Sequence, residues 1–339
     1  MSLPLGVSSG DPGGVGPEVA MRACVSTCAQ LGAVIYGDAE VMRERASAWG
    51  IDAGRLRNVA VGEERALPQG TVGLCDVGPR WTPAALAHSP TAQGGRAQLA
   101  ALDAAIDAAR AGRVRALVTA PMSKEAVNLG GAAFTGHTEH LARAVGLHDD
   151  DVTMMFLGPR LRVALVTTHL AVADLPAAIT RARVTRTVGH LAEVLLALRK
   201  PDESAPRLVV TGLNPHAGEG GLFGSEEASA IEPAMIGLAK CPPFASRGIV
   251  LEGPMPAETA FRMASAGEVG GVVAMMHDQA TIASKLLDWT QAVNVTWGLP
   301  FVRTSVDHGV AYDAAASGSV DPRGMQSALE LAQLLTSTG

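Results

Sequence analysis

Three consecutive stretches decide the fold: Arg162-Val-Ala-Leu-Val-Thr-Thr-His169, the Ala/Leu-rich run Val184–Arg199 (VTRTVGHLAEVLLALR), and Arg207-Leu-Val-Val-Thr-Gly-Leu-Asn-Pro-His216. The outer two are short, nearly unbroken apolar runs that suit strands buried on both faces. The middle one has the length and spacing of a helix. Strand, helix and strand in that order predict parallel strands covered by helices. The same alternation continues outward. Strands are expected at Leu3–Ser9, Ala33–Tyr36, Ala116–Thr119, Thr153–Leu157, Val163–Thr168, Leu208–Gly212, Val272–Met276 and Val293–Thr296. Helices are expected at Ala92–Ala111, Val184–Arg199 and Ser225–Ala239. Only a Gly-Pro turn separates Thr153–Leu157 from Val163–Thr168, so these two read as an antiparallel hairpin. The fold class is α/β with a mainly parallel sheet.

Composition narrows the function. At 339 residues the chain suits about two domains of ~150 residues, or one large α/β unit. Apolar residues make up 47% and charged residues 18%, enough for a packed core and unlike a disordered chain. No uncharged apolar stretch reaches the ~18 residues of a membrane span. The start, Met1-Ser2-Leu3-Pro4-Leu5, has neither a basic segment nor a long apolar one, so no signal peptide is expected and the compartment reads as cytoplasmic. Cys24, Cys28, Cys75 and Cys241 fit no metal-binding or redox spacing and read as reduced thiols. A net charge of −6 and 4% aromatics argue against nucleic acid as partner. No spacer marks a domain boundary; a crossing near Thr119–Lys124 or Cys241–Phe244 is expected.

Histidines end the apolar runs. Besides His169 and His216, Gly271-Val-Val-Ala-Met-Met-His277 and Phe301-Val-Arg-Thr-Ser-Val-Asp-His308 show the pattern. Open α/β sheets bind ligands outside the carboxyl ends of their strands, and neutral imidazole is a common ligand of divalent ions. Three protein donors with one open position is the catalytic arrangement. A single such histidine reads first as a loop cap or a packed side chain. Four of them point to a shared metal or acid–base site, and the pattern leaves open which three bind. Asp278 follows His277 and Asp307 precedes His308; a carboxylate there can fix an imidazole tautomer, or Asp278 can cap a helix over Gln279–Leu287.

Two glycine-rich segments are expected at strand-to-helix junctions: Gly10–Glu18 (GDPGGVGPE) and His216–Gly224 (HAGEGGLFG), the latter followed by Ser225-Glu-Glu. Neither matches GxGxxG, and GxxxxGK[ST] is absent. Either segment serves as a plain tight turn, or its amides hold a phosphate or pyrophosphate. In the second, Gly218, Gly220, Gly221 and Glu226 are the candidate cofactor contacts. Lys285, Asn294 and Arg303 cluster within twenty residues and suit an anionic substrate. In Thr135-Gly-His137-Thr138-Glu139, Thr138 reads as an N-cap and His137 as a candidate contact.

Together the segments GDPGGVGPE (10–18), TAPMSKEAV (119–127), FTGHTEHLA (134–142), VALVTTHLA (163–171), GLNPHAGEGGLFGSEE (212–227), GPMPAETAF (253–261), MHDQ (276–279) and VNVTWGLPFVRTSVDHG (293–309) resemble the 4-hydroxythreonine-4-phosphate dehydrogenase (PdxA-like) family of pyridoxal phosphate biosynthesis. They span almost the whole chain in the family's order. The resemblance implies the isocitrate/isopropylmalate-dehydrogenase-like fold: two α/β/α domains with the active site in a cleft between them. It places them at 1–125 with 275–339, and at 126–274, the second carrying much of a homodimer interface with shared sites. It implies a divalent metal (Zn, Mg or Co) on His169, His216 and His277, leaving His308 aside. His137, Thr138, Lys285, Asn294 and Arg303 match substrate contacts, with Asp278 and Lys285 as candidates to take the hydroxyl proton. The implied reaction is NAD- or NADP-dependent oxidation of 4-phosphooxy-L-threonine at its C3 hydroxyl. The product, 2-amino-3-oxo-4-phosphooxybutanoate, decarboxylates to 3-amino-2-oxopropyl phosphate.

Three positions depart from the family pattern: Glu258 where Asp is usual, Met276 where Tyr is common, and Trp297 where Leu is common. Paralogues implied by the same resemblance act on 4-phospho-D-threonate, 4-phospho-D-erythronate or cyclic diols. Retention of FTGHTE and of Lys285, Asn294 and Arg303 favours a phosphorylated substrate over a cyclic diol. A further alternative is a non-redox metal-dependent lyase or binding protein on the same fold.

Overall fold

A computed structural model describes residues 3–27, 32–68 and 70–337. Twelve strands are present among them: β1 (Leu5–Ser8), β2 (Ala33–Gly37), β3 (Leu56–Val59), β4 (Val72–Asp76), β5 (Ala116–Thr119), β6 (Thr153–Leu157), β7 (Arg162–Leu165), β8 (Arg207–Thr211), β9 (Val250–Met255), β10 (Gly271–Ala274), β11 (Val293–Trp297) and β12 (Val302–Val306). The chain forms two compact units, Met1–Asp149 with Leu299–Gly339, and Asp150–Gly298. They divide at 149/150 and 298/299 instead of the expected 125/126 and 274/275, and neither edge falls at Thr119–Lys124 or Cys241–Phe244. Core packing explains the shift. Phe134 and Leu141 lie in one cluster with Val34, Tyr36 and Leu117. Ala280 and Leu287 pack with Phe156, Val163 and Val272.

In the first unit the strand order is β3-β4-β2-β1-β5-β12, every pair parallel. Val34 and Tyr36 of β2 face the helix Ala92–Arg110, burying Leu102, Ala105 and Ile106 against it. By the two-residue period Ala33 and Ile35 face the other side, where the helices Gly16–Thr27 and Arg323–Thr336 pack. Gly95 permits one close approach: a Cβ there would lie 1.8 Å from the Ala126 carbonyl oxygen of the helix Lys124–Leu129.

In the second unit the order is β11-β6-β7-β10-β8-β9. The expected hairpin is present, β6 pairing antiparallel with β7, and β11 is antiparallel to β6. From β7 onward the neighbours are parallel. The helix Arg181–Leu198 packs on β6, β7, β8 and β10, and Leu191 and Leu195 approach Gly271. The helices Ala257–Ser265 and His277–Asp288 supply Ala260, Ala264 and Ala280 to the opposite apolar layer.

One helix expectation is refined and one corrected. The helix expected over Ser225–Ala239 runs from Glu226 to Ala239 and contains a π-helical turn over Glu227–Ile231 before its α-helical part Glu232–Ala239. Pro233 has no N–H with which to continue an α-helical ladder through the junction. Thr138 is not an N-cap, because the helix His137–Ala144 begins one residue earlier, with Gly136 at the cap. Strands β3, β4 and β9 were not expected, and β12 was expected only as the weaker apolar run Phe301–His308. Cys24, Cys75 and Cys241 are in no disulfide, as expected of reduced thiols, while Cys28 lies outside the described residues. None of the described helices is long and apolar enough to cross a membrane.

Candidate active site

In the second unit β7, β10 and β8 are adjacent and parallel, so their carboxyl ends lie side by side about 4.8 Å apart. His169 follows β7, His277 follows β10 and His216 follows β8. Three of the four sequence candidates are thus delivered to one end of three neighbouring strands. The ladder runs past the strand ends: Val166 N–H donates to the Ala274 carbonyl and Thr167 N–H to that of Met275. The Thr167 hydroxyl adds a second bond to Met275 O at 2.7 Å. His169 and His277 come together, with ring centroids 5.3 Å apart. Two imidazoles sharing a tetrahedral cation at about 2.1 Å each have centroids about 5 Å apart, a separation this pair matches. His277 Nδ1 lies 3.0 Å from Asp278 Oδ1, so Nε2 is the ring nitrogen left to act as a donor. Asp278 is not the cap of its helix, which begins at His277 with Met276 at the N-cap; Gln279, at the third helical position, accepts the N–H groups of Met275 and Met276 through its Oε1 at 2.9 and 3.2 Å.

Gln279 does more than that. Its Nε2 donates to Gly212 O at 3.1 Å and its Oε1 accepts from the Thr211 hydroxyl at 3.3 Å. One side chain thus ties the loop of His277 to the end of the strand that leads to His216. The sequence reading missed it; its signal was its place immediately after His277-Asp278.

His216 stands apart from the pair. Among the described residues no three His, Cys, Asp or Glu side chains come close enough to hold an ion. The ring of His216 lies 6.3 Å from that of Phe223, centroid to centroid. Its backbone opens a left-handed turn: φ is +54° at His216, +53° at Ala217, +80° at Gly218, +43° at Glu219, +67° at Gly220 and +97° at Gly221. Left-handed geometry costs about 1–2 kcal/mol per non-glycine residue, and three of these six carry a Cβ. Such strain persists only where the surroundings over-determine it. Here Glu227 is the principal restraint. Its carboxylate is buried and accepts the N–H groups of Leu213 and Asn214 at 2.8 and 2.9 Å and Asn214 Nδ2 at 2.9 Å. Burial pushes its pKa up, but those hydrogen bonds outweigh it and hold the group ionised below the usual glutamate range. Of the cofactor candidates, Gly218 is buried against Glu227, Gly220 and Gly221 are exposed, and Glu226 Oε2 accepts from Asn214 Nδ2 at 2.7 Å.

Lys285 and Asn294 also belong to the second unit. Lys285 is on the helix His277–Asp288, with Nζ 5.3 Å from the Trp289 ring centroid, and half-buried Asn294 is on β11. Of the family departures, Trp297 donates its indole N–H to Glu193 at 2.9 Å, and Glu258 is exposed. Met276 alone of the three adjoins a candidate donor.

The first unit holds the other substrate candidates. Arg303 on β12 is 2% exposed, and its Nη2 donates to the Thr119 hydroxyl at 2.6 Å. Burial pulls its pKa down, the Glu139 carboxylate opposing. His137 Nε2 is buried without a hydrogen-bond partner. Burial, then the charge of Arg303, then those of His140 and Lys124, hold its pKa well below the ordinary histidine value, so the ring is neutral. Lys124, absent from the sequence candidates, thus belongs to this cationic group. His137 and Thr138 open the helix His137–Ala144, whose first backbone N–H groups and dipole favour an anion. His308 is exposed, its Nδ1 3.0 Å from Gly309 O.

The chain has the isocitrate/isopropylmalate-dehydrogenase-like fold: it superposes on a beta-decarboxylating dehydrogenase from Thermococcus kodakarensis with a TM-score of 0.52 at 12% identity, covering 99% of this chain and 82% of that one. The family model for the pyridoxal phosphate biosynthetic protein PdxA matches residues 29–332, and the chain belongs to that family. It is similar to a 4-hydroxythreonine-4-phosphate dehydrogenase of Burkholderia vietnamiensis, 41% identical over 98% of this chain and 96% of that one. It is also similar to a D-threonate 4-phosphate dehydrogenase of Cupriavidus necator, 38% identical over 96% and 95%. The crystal structure of 4-hydroxythreonine-4-phosphate dehydrogenase from Klebsiella pneumoniae superposes with a TM-score of 0.80 at 31% identity, covering 99% of this chain and 100% of that one.

Proposed function

We propose that this chain is an NAD- or NADP-dependent dehydrogenase that oxidises the C3 hydroxyl of 4-phosphooxy-L-threonine. The product is 2-amino-3-oxo-4-phosphooxybutanoate, which loses CO₂ to give 3-amino-2-oxopropyl phosphate in pyridoxine 5'-phosphate biosynthesis. The observation that carries the reading is the delivery of His169, His277 and His216 by three adjacent parallel strands, with the first two rings already at cation-sharing distance. When bound, a divalent cation (Zn, Mg or Co) on these three residues supplies Lewis acidity toward a hydroxyl, and a nicotinamide supplies the hydride acceptor. The remaining roles belong to the chain. Arg303, the neutral His137 and the amides that open the helix His137–Ala144 take the phosphate, Thr138 adding its hydroxyl. Lys285 and Asn294 are assigned to the same substrate. Asp278 Oδ1 is engaged with His277 Nδ1, and Lys285, acting as the neutral amine, is assigned to take the hydroxyl proton. Gly220 and Gly221 keep their assignment to the cofactor.

The working unit is a homodimer sharing its sites. The helix His277–Asp288 and its C-cap expose Ile282, Leu286 and Trp289 at 60%, 81% and 71%, one stripe at spacings of four and three residues. An apolar stripe of this kind on a helix next to the histidines calls for a second copy to cover it. The free thiols of Cys75 and Cys241 suit the cytoplasm.

NADH or NADPH formation is compared for 4-phosphooxy-L-threonine and 4-phospho-D-threonate, with and without chelator. Chelator-sensitive turnover that favours the first supports the proposal. Preference for the threonate moves the enzyme to sugar-acid catabolism. No absorbance change with either, metal present, overturns the redox assignment.

A further inference from the structure

We propose that Glu227 is a positioning residue: its buried carboxylate fixes the left-handed turn His216–Gly221 and thereby sets where the His216 imidazole is presented. The inference rests on the reading of His216 as a metal donor. Glu227 sits eleven residues beyond His216, at the start of the π-helical turn Glu227–Ile231, which anchors it to a packed element. From there its two oxygens reach back and take both backbone N–H groups and the side chain at the stem of the loop. Asn214 closes the clamp from the other side, Nδ2 bridging Glu227 Oε2 and Glu226 Oε2 at 2.9 and 2.7 Å.

The glycines of this segment follow from the same clamp. A Cβ at Gly218 would stand 2.7 Å from Glu227 Oε2, and one at Gly212 would stand 3.0 Å from Glu227 Oε1. A Cβ at Gly224 would fall within 2.6 Å of Glu226 Oε2. Gly218, which looks like part of an anion cradle in the sequence, thus makes room for the Glu227 carboxylate, while Gly224 makes room for Asn214 and Glu226 and Gly212 for Ala217 and Glu227. The carboxylate holds the stem of the turn at Leu213 and Asn214 and leaves no room for a side chain at Gly218. His216 therefore starts from a fixed backbone even though its neighbours Ala217 and Glu219 disfavour that conformation. Outer groups that orient a donor typically change metal affinity 10- to 100-fold when altered.

The test uses full-length enzyme and Co²⁺ alone as probe, read by calorimetric titration and by the visible ligand-field bands of the bound ion. Four proteins are compared: the parent, His216→Ala, Glu227→Gln and Gly218→Ala. Glu227→Gln turns one oxygen into an amide facing the Asn214 amide; Gly218→Ala pushes on the carboxylate while leaving it intact. Circular dichroism melts show which variants fold. A folded Glu227→Gln or Gly218→Ala is expected to bind Co²⁺ about 10- to 100-fold more weakly, its visible bands displaced in the sense seen for His216→Ala. Parent-like affinity and bands in the folded clamp variants, with His216→Ala impaired, overturn the positioning role. So does failure of both clamp variants to fold, which makes Glu227 a folding element only. Parent-like binding by His216→Ala overturns the donor assignment instead.

Discussion

Arg303→Met separates the two demands placed on one buried guanidinium. Arg303 is 2% exposed, and burial pulls its pKa down, the mark of a cation that the fold alone solvates poorly. A cation whose folded pKa is depressed disfavours the charged folded state at every pH below that pKa, so removing the charge adds stability throughout the working range. Replacing a buried ion by an apolar side chain of similar reach gains about 1–4 kcal/mol. The Thr119 hydroxyl loses its 2.6 Å bond from Nη2, a cost of about 1 kcal/mol. The net expectation is a gain of about 0–3 kcal/mol, or a rise in melting temperature of up to roughly 8 °C. Function moves the other way. Losing the charged contact to a phosphate costs about 2–5 kcal/mol, a fall in kcat/KM of roughly 30- to 5,000-fold. The assay is calorimetric melting with and without inorganic phosphate, alongside kcat/KM. Parent protein is expected to melt higher with phosphate, and Arg303→Met to melt higher without it and to ignore it. A variant that melts well below the parent, or that keeps the full phosphate-induced rise, refutes the reasoning.

Gly95→Ala forces a methyl to within 1.8 Å of the Ala126 carbonyl and is expected to cost about 3 kcal/mol, read as a lower urea midpoint; an unchanged midpoint contradicts the packing. Burial pushes the pKa of Glu64 up, but the N–H groups of Glu64 and Gly62 and the Arg113 guanidinium at 3.0 Å outweigh it and leave the group below the usual glutamate range. Its stabilisation is therefore present above the ordinary glutamate pKa and lost as pH falls through the depressed value. Glu64→Gln should lose about 2–4 kcal/mol at pH 7, the gap to the parent narrowing in acid melts; a pH-independent gap rules this out. Leu286→Arg places a charge on the 81% exposed centre of the apolar stripe and is expected to give monomers in light scattering, with a parent-like melt at equal monomer content; an unchanged mass removes the stripe from the interface.

Legibility followed burial. Strands buried on both faces, such as β2, β5, β6 and β10, spell unbroken apolar runs and were readable to within a residue or two. The missed strands lack that signature. Edge strand β3 (Leu-Arg-Asn-Val) is half exposed, β4 carries Gly73, and edge strand β9 carries Gly253-Pro254, a pair that reads as a turn. Domain edges were misplaced because core membership of Phe134, Leu141 and Ala280 depends on contacts distant in sequence.

The histidines were legible because each follows a strand whose end the sequence marks. What holds them was not. Gln279, Asn214 and Glu227 work by bridging separate loops, and such pairings leave no local period. The glycine signal was real but two-valued. A residue without Cβ serves equally where a ligand's phosphate approaches and where the protein's own carboxylate does, and only the Glu227 contacts at Gly212 and Gly218 tell the two apart. Once that pair is accounted for by the clamp, Gly220 and Gly221, with no atom within 4 Å of a would-be Cβ, are the glycines of the turn still open to a cofactor. The rigid carboxylate clamp and the exposed glycine tip thus divide the loop between two demands, a fixed donor at its start and an accessible backbone beyond it.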